Sequence, residues 1–216
     1  MKPYIRIITA ALCLILLLST MASCGVTLKP GENGIYDKQN KISYVHASPV
    51  YEAVALVKEY GKLNITSKES LKLYTIPDTD PEKMLATEEG NILYASDHPL
   101  PTLTEMAPTK LYVCVDGTAT SSAILLYEDA DGIAKLTGEY CDGDSIPYPG
   151  TQASRRYRVR FESPDYPGFY YTLVYLEYSE DLVIDGENCG RFFFYSIFDG
   201  RFRPVSDVIY KALGRE

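Results

Sequence analysis

The sequence predicts a mainly β fold, an antiparallel sandwich or partly closed barrel with a few short helices, α+β being the neighbouring class. Three observations carry this. Short runs rich in Val, Ile, Leu, Tyr and Phe recur about every ten residues, the spacing of an all-β chain. Asp-Gly pairs at 185–186 and 199–200 stand between alternating runs, a strong local hairpin signal. No long helical pattern alternates with the strands, as a parallel βαβ sheet would require.

Taken in order, Ile42 to His46 reads as the first strand. Pro49 to Tyr60 fits both periods, and Gly61 with the β-branched residues favours strand. Leu71 to Ile76 is a strand closed by Pro77. Thr79-Asp80-Pro81-Glu82 has the hydroxyl cap, early proline and glutamate of a helix start, running to about Ala86. Asn91 to Ala95 is a strand and Thr102 to Met106 one helical turn. Leu111 to Val115, Ala123 to Tyr127 and Ile133 to Tyr140 read as strands, and residues 141–153, with Pro147 and Pro149, as a long loop. Arg155 to Glu162, Phe169 to Tyr178 and Arg191 to Phe198 are the strongest strands. Ser206 or Asp207 caps a last short helix, Val208 to Leu213, stopped by Gly214.

Ahead of these lies a different kind of sequence. Lys2 and Arg6 open the chain, no charge occurs from Ile7 to Val26, and the centre is Leu12 to Leu18. A basic start, an apolar middle and small residues at the end make an export signal. Met21-Ala22-Ser23-Cys24 resembles the lipobox of bacterial lipoproteins, with Met21 where leucine is usual. The resemblance implies cleavage after Ser23, with a thioether-linked diacylglycerol and an amide-linked acyl chain on Cys24. Two or more acyl chains anchor a protein stably. It places the protein in the bacterial envelope, on the outer side of the cytoplasmic membrane or in an outer membrane. Residues 1–23 are then signal and 24–41 a lipidated cysteine with a flexible tether, on the order of 20 Å in reach. Residues 42–216 form the β-rich globular domain. From residue 25 onward the sequence resembles no family of known activity.

Removing residues 1–23 leaves 19 basic against 29 acidic side chains, a net charge of −10. That excludes nucleic acid as a partner, and anionic lipid over a broad face, because both need a basic footprint. Cys114 sits in an apolar strand and reads as core. Cys141 and Cys189, in loop-like sequence, read as free or separately buried thiols, or as the pair that a disulfide outside the cytoplasm would join.

The most informative stretch is Arg155-Arg156-Tyr157-Arg158-Val159-Arg160-Phe161-Glu162. Side chains alternate across a strand, so Arg156, Arg158 and Arg160 share one face. If Glu162 pairs with Phe169, Arg160 faces Tyr171 and Arg156 faces Tyr175, an arginine ladder flanked by rings. This is the candidate binding face, for a small anionic ligand, a peptide or another envelope protein. The plainer reading is a solvated strand face that pairs with the protein's own acids. The 19 tyrosines invite sugar stacking, tempered by the lack of tryptophan. Asp129-Ala130-Asp131-Gly132 and Asp142-Gly143-Asp144 are only fragments of a calcium loop, and nothing calls for a metal or cofactor. His46 and His98 stand alone, and Ser145 lacks a nucleophile elbow. A non-enzymatic binding role therefore leads, against a hydrolase of envelope polysaccharide or peptide using carboxylates or a Cys/His pair.

Overall fold

The computed structural model describes residues 26–32, 34–66, 69–118 and 120–215; the signal and Cys24 lie outside them. The fold is mainly β, as the alternation predicts, and divides into a barrel and an antiparallel sheet.

The barrel is built from β1 (Val26–Pro30), β2 (Gly34–Asp37), β3 (Ile42–His46), β5 (Glu59–Asn64), β6 (Ser70–Tyr74), β7 (Met84–Thr87) and β8 (Ile92–Ala95). They close in the order β1-β2-β3-β8-β7-β6-β5. Every pairing is antiparallel except β1 with β5, which seals the ring in parallel. Each strand sends one large side chain inward: Leu28, Ile35, Tyr44, Leu63, Leu73, Leu85 and Leu93 fill the interior, as in small barrels generally. Gly34 is required where β2 crosses β3, since a Cβ there would lie 2.1 Å from the Tyr44 carbonyl oxygen.

Three expectations fail here. The stretch read as tether is β1 and β2, paired from Leu28 with Asp37 to Pro30 with Ile35. The helix expected from Thr79 is a single turn followed by β7. Asp80 takes the cap role, accepting from the Glu82 N–H at 3.0 Å, while Thr79 bonds back to Ile76. Met84–Thr87 is buried between β6 and β8, and sheet burial outweighs the local helix signal. The ambiguous stretch 49–60 is not one strand but two pieces, β4 (Tyr51–Ala53) and the start of β5.

The second sheet runs β10 (Ser121–Tyr127), β9 (Lys110–Asp116), β11 (Arg155–Glu162), β12 (Phe169–Glu177), β15 (Phe192–Tyr195), β16 (Phe202–Pro204), with β4 alongside the start of β12. Helix α1 (Leu103–Met106) is held by a Thr102–Glu105 capping box, α2 is Ala130–Asp142 and α3 Val208–Ala212. They cover one face of this sheet and bury Leu103, Ile133, Leu136, Tyr140 and Ile209 against Leu111, Val113, Val159, Phe161, Tyr175 and Phe194.

Helix α2 corrects the strand expected over Ile133–Tyr140. Ile133, Leu136 and Tyr140 lie three and seven residues apart and share the buried face. Asp129 caps the helix by accepting from Gly132 N–H at 3.0 Å. At the last helix Asp207 makes no side-chain cap bond; Ser206 instead donates to Glu139 of α2. The Asp185-Gly186 turn is as predicted, both residues at positive φ, between β13 (Val183–Ile184) and β14 (Glu187–Asn188). Ile76, Met84, Ala86 and Ile92 of the barrel pack with Met106 and Phe169 to join the two halves.

Asp37, fully buried, holds the turn between β2 and β3. Burial alone would raise its pKa. The Tyr60 hydroxyl at 2.6 Å, the Asn40 N–H at 3.1 Å and amide at 3.0 Å, and the Gln39 N–H at 2.8 Å outweigh this and hold it below 3.8. A depressed carboxylate stabilises the fold above its unfolded pKa and loses that contribution as pH falls through the folded value. Asp37→Ala is expected to cost about 2–3 kcal/mol at neutral pH. The wild-type advantage should fade once pH falls below about 4; urea unfolding at stepped pH checks both, and an advantage undiminished in strong acid contradicts the assignment.

Candidate functional site

The arginines of β11 take their surroundings from its register with β12. Arg160 pairs with Thr172, Arg158 with Val174 and Arg156 with Leu176, one residue away from the register expected from the sequence. Because side-chain direction alternates, that single residue reverses faces. Tyr171 and Tyr175 therefore lie with Phe161 and Tyr157 on the helix-covered side. Tyr171 meets Tyr51 and Tyr140 edge-on, and Tyr175 is fully buried and stacked on Phe192. The arginine–tyrosine ladder does not form with these two rings.

On the open face the arginines meet residues distant in sequence. Arg160 grips Glu52 of β4 with a two-pronged fork, Nε to Oε2 at 2.9 Å and Nη2 to Oε1, and lies over the Tyr170 ring. Burial would lower its pKa, but the bonds and charge of Glu52 raise it overall. Arg158 reaches Glu52 at 3.6 Å and Asp116 at 3.0 Å. Thr172 donates its hydroxyl to Glu52 at 3.2 Å. Farther along, Tyr112 donates to Glu162 at 2.6 Å, which raises the Tyr112 pKa and keeps it a neutral donor. Two guanidinium groups and two carboxylates thus cancel locally, and Arg158 and Arg160 are both paired within the chain.

Arg156 differs. It is exposed and has no hydrogen-bond or ion-pair partner among the described residues. It lines a cleft of ≈ 460 Å³ with Leu176, Tyr178, Tyr195, Phe202, Tyr148 and Gln152. Leu176, Tyr195 and Phe202 come from β12, β15 and β16, so the floor is the open face of the sheet. The wall is the loop after α2, pinned to the sheet by Ile146 N–H to Phe202 O at 2.8 Å and Ser154 N–H to Glu177 O at 2.8 Å. Tyr148 reaches back over Phe202 with ring centroids 5.1 Å apart, and Tyr195 meets Phe202 at 4.9 Å. Tyr148 remains 62% exposed, free to contact a ligand. Burial raises the Tyr178 pKa, leaving a neutral hydroxyl that donates to Thr151 O at 3.3 Å. The arrangement offers flat apolar faces beside one positive charge, suited to binding.

Of the residues singled out from sequence, only Arg156 belongs to this cleft. The aromatic wall was not singled out; the signal for it was a tyrosine held between Pro147 and Pro149, too rigid to tuck away. Among the described residues no group of three or more His, Cys, Asp or Glu is placed to hold a metal, and Asp129 and Asp131 serve the start of α2. Compared with protein-family models, curated proteins and solved structures, the chain finds no match.

The Cys141–Cys189 bridge is not made: both thiols and Cys114 are unpaired. Cys141 ends α2, on the covered side of the sheet, whereas Cys189 packs among Val174, Leu176 and Phe193 on the other side. The sheet itself separates them. Burial pushes the Cys114 thiol up, so iodoacetamide should modify exposed Cys141 first and Cys114 only on unfolding; peptide mapping of a timed reaction reads the order. Glu52→Ala should cost roughly 1–3 kcal/mol, less than for a fully buried pair because these groups are part-exposed. Arg160→Ala should then cost less in that background than alone, a coupling that urea titration of the double-mutant cycle measures.

Proposed function

We propose that this chain is a lipid-anchored binding protein of the bacterial envelope, held by acyl chains on Cys24, and that its ligand occupies the aromatic cleft beside Arg156. The lipobox-type signal supports the anchor. The observation that carries the site is the contrast within one strand: Arg158 and Arg160 are neutralised by Glu52 and Asp116, while Arg156 is left uncompensated at the rim of a ring-lined cleft. An uncompensated guanidinium favours carboxylate or phosphate. Rings at this spacing favour a ligand with a flat apolar face, and the volume lies within the small-molecule range. The ligand class that satisfies both is an acidic ring, such as a sugar acid or an acidic aromatic.

Ligand-observed NMR with uronate oligosaccharides, aromatic carboxylates and their neutral counterparts tests this. Acidic compounds should bind, and Arg156→Gln should weaken them about 10- to 100-fold, the worth of one charge-assisted hydrogen bond. Tyr148→Ala should weaken acidic and neutral rings alike, with the unfolding midpoint unchanged. Equal binding of acidic and neutral compounds, or indifference to Arg156→Gln, overturns the reading.

A further inference from the structure

We infer that the outer face of the barrel around β5 docks on a membrane surface rich in anionic phospholipid headgroups; this rests on the anchor reading above. The first observation is the length of the connection. If Cys24 carries the lipid, only Gly25 separates it from Val26, where β1 begins. Two residues span at most about 7 Å, so the barrel sits against the headgroups.

The second observation is what that side of the barrel presents. Val26 pairs with Gly61 and Thr27 with Lys62, so the chain enters beside β5. Lys62 of β5 lies directly opposite Lys72 of β6, and Lys29 projects outward from β1 on the other flank, paired with Tyr36. Like charges directly opposite are unfavourable in isolation. Only Lys72 has a carboxylate, Glu59 at 3.6 Å; Lys29 and Lys62 have none among the described residues. Val57 and Ile65, 65% and 59% exposed, stand just before and just after β5. Uncompensated ammonium groups flanked by exposed apolar side chains fit a headgroup layer, charge to phosphate and hydrocarbon below it.

The net charge of −10 that excludes a broad basic footprint is compatible with this narrow one. Eight of the eleven lysines after Cys24 fall in residues 26–95, and all eight arginines after it lie at 155 or beyond. In the ring order β5 is farthest from β3 and β8, and β8 is among the strands that pack on the second sheet.

The test uses the protein as isolated from cell membranes, reconstituted into vesicles with and without phosphatidylglycerol in phosphatidylcholine. Lysine acylation is mapped by mass spectrometry. Lys29, Lys62 and Lys72 should react at least about fivefold more slowly on the anionic vesicles, the factor given by ~1 kcal/mol per lysine. Lys110, Lys135 and Lys211 should be unchanged, and added salt should erase the difference. Equal reactivity of the three on both vesicle types overturns the docking face. The mass of the peptide containing Cys24, from the same digest, decides the anchor separately: a lipidated Cys24 with unprotected lysines sinks only the docking face, and a bare Cys24 sinks only the anchor if protection persists.

Discussion

The pairing of β11 with β12 governs the second half of the molecule. Phe161 beside Tyr171, Val159 beside Leu173 and Tyr157 beside Tyr175 form one apolar plane, which α2 and α3 cover. Moving β12 by one residue would exchange Tyr171, Leu173 and Tyr175 for Thr172 and Val174 under the helices. It would also put the arginines beside rings that need to be dry. Burying apolar area on one side is worth more than any single ring–guanidinium contact, so the helix-covered face sets the register. The arginines accept the neighbours that remain.

One of those neighbours, Glu52, comes from β4, the segment between barrel strands β3 and β5. The Ala53 N–H bonds to Gly90 O at 3.0 Å within the barrel, while Val54 N–H reaches Gly168 O at 3.2 Å and Thr172 N–H reaches Val50 O at 2.6 Å in the second sheet. One short segment thus ties the backbones of both halves, and its Glu52 supplies the carboxylate that Arg158 and Arg160 share. The halves are coupled through hydrogen bonds as well as through the apolar seam around Ile76, Met84 and Phe169. Contacts of such long sequence separation form late and slow the folding of sheet proteins. On the open face of β11, Glu52 of β4 and Asp116 of β9 share the neutralisation, the first from the segment between two barrel strands and the second from within the sheet itself.

How much of this was legible follows from how local each feature is. Strands β9, β11, β12 and β15 and the Asp185-Gly186 hairpin were readable because alternation and turn chemistry act within a few residues. Helix α2 was misread because its Asp131-Gly132 pair imitates a turn while serving the first turn of a helix. The register was not readable: Phe169–Glu177 is apolar on both faces, so its own pattern cannot say which face the helices claim. Glu52 lies 108 residues from Arg160, and no local pattern links them. The cleft was half legible, with Arg156 named for its charge and Tyr148 overlooked.

The division of the basic residues follows from the same physics. Arginine's planar fork satisfies a carboxylate with two bonds in part-buried settings, as Arg160 does with Glu52, and it rests on rings, as Arg203 does over Tyr140 and Arg191 over Phe192. The second sheet, crowded with tyrosine and phenylalanine, has use for that geometry. The barrel interior, filled mainly by leucine with Ile35 and Tyr44, has none, and its outward positions carry the compact and strongly hydrated ammonium of lysine instead. Arg156 stands apart in a sheet where arginine's other roles are taken up by acids and rings of the same chain. A guanidinium kept solvent-facing beside four rings has none of its hydrogen-bonding fork taken up by the described residues.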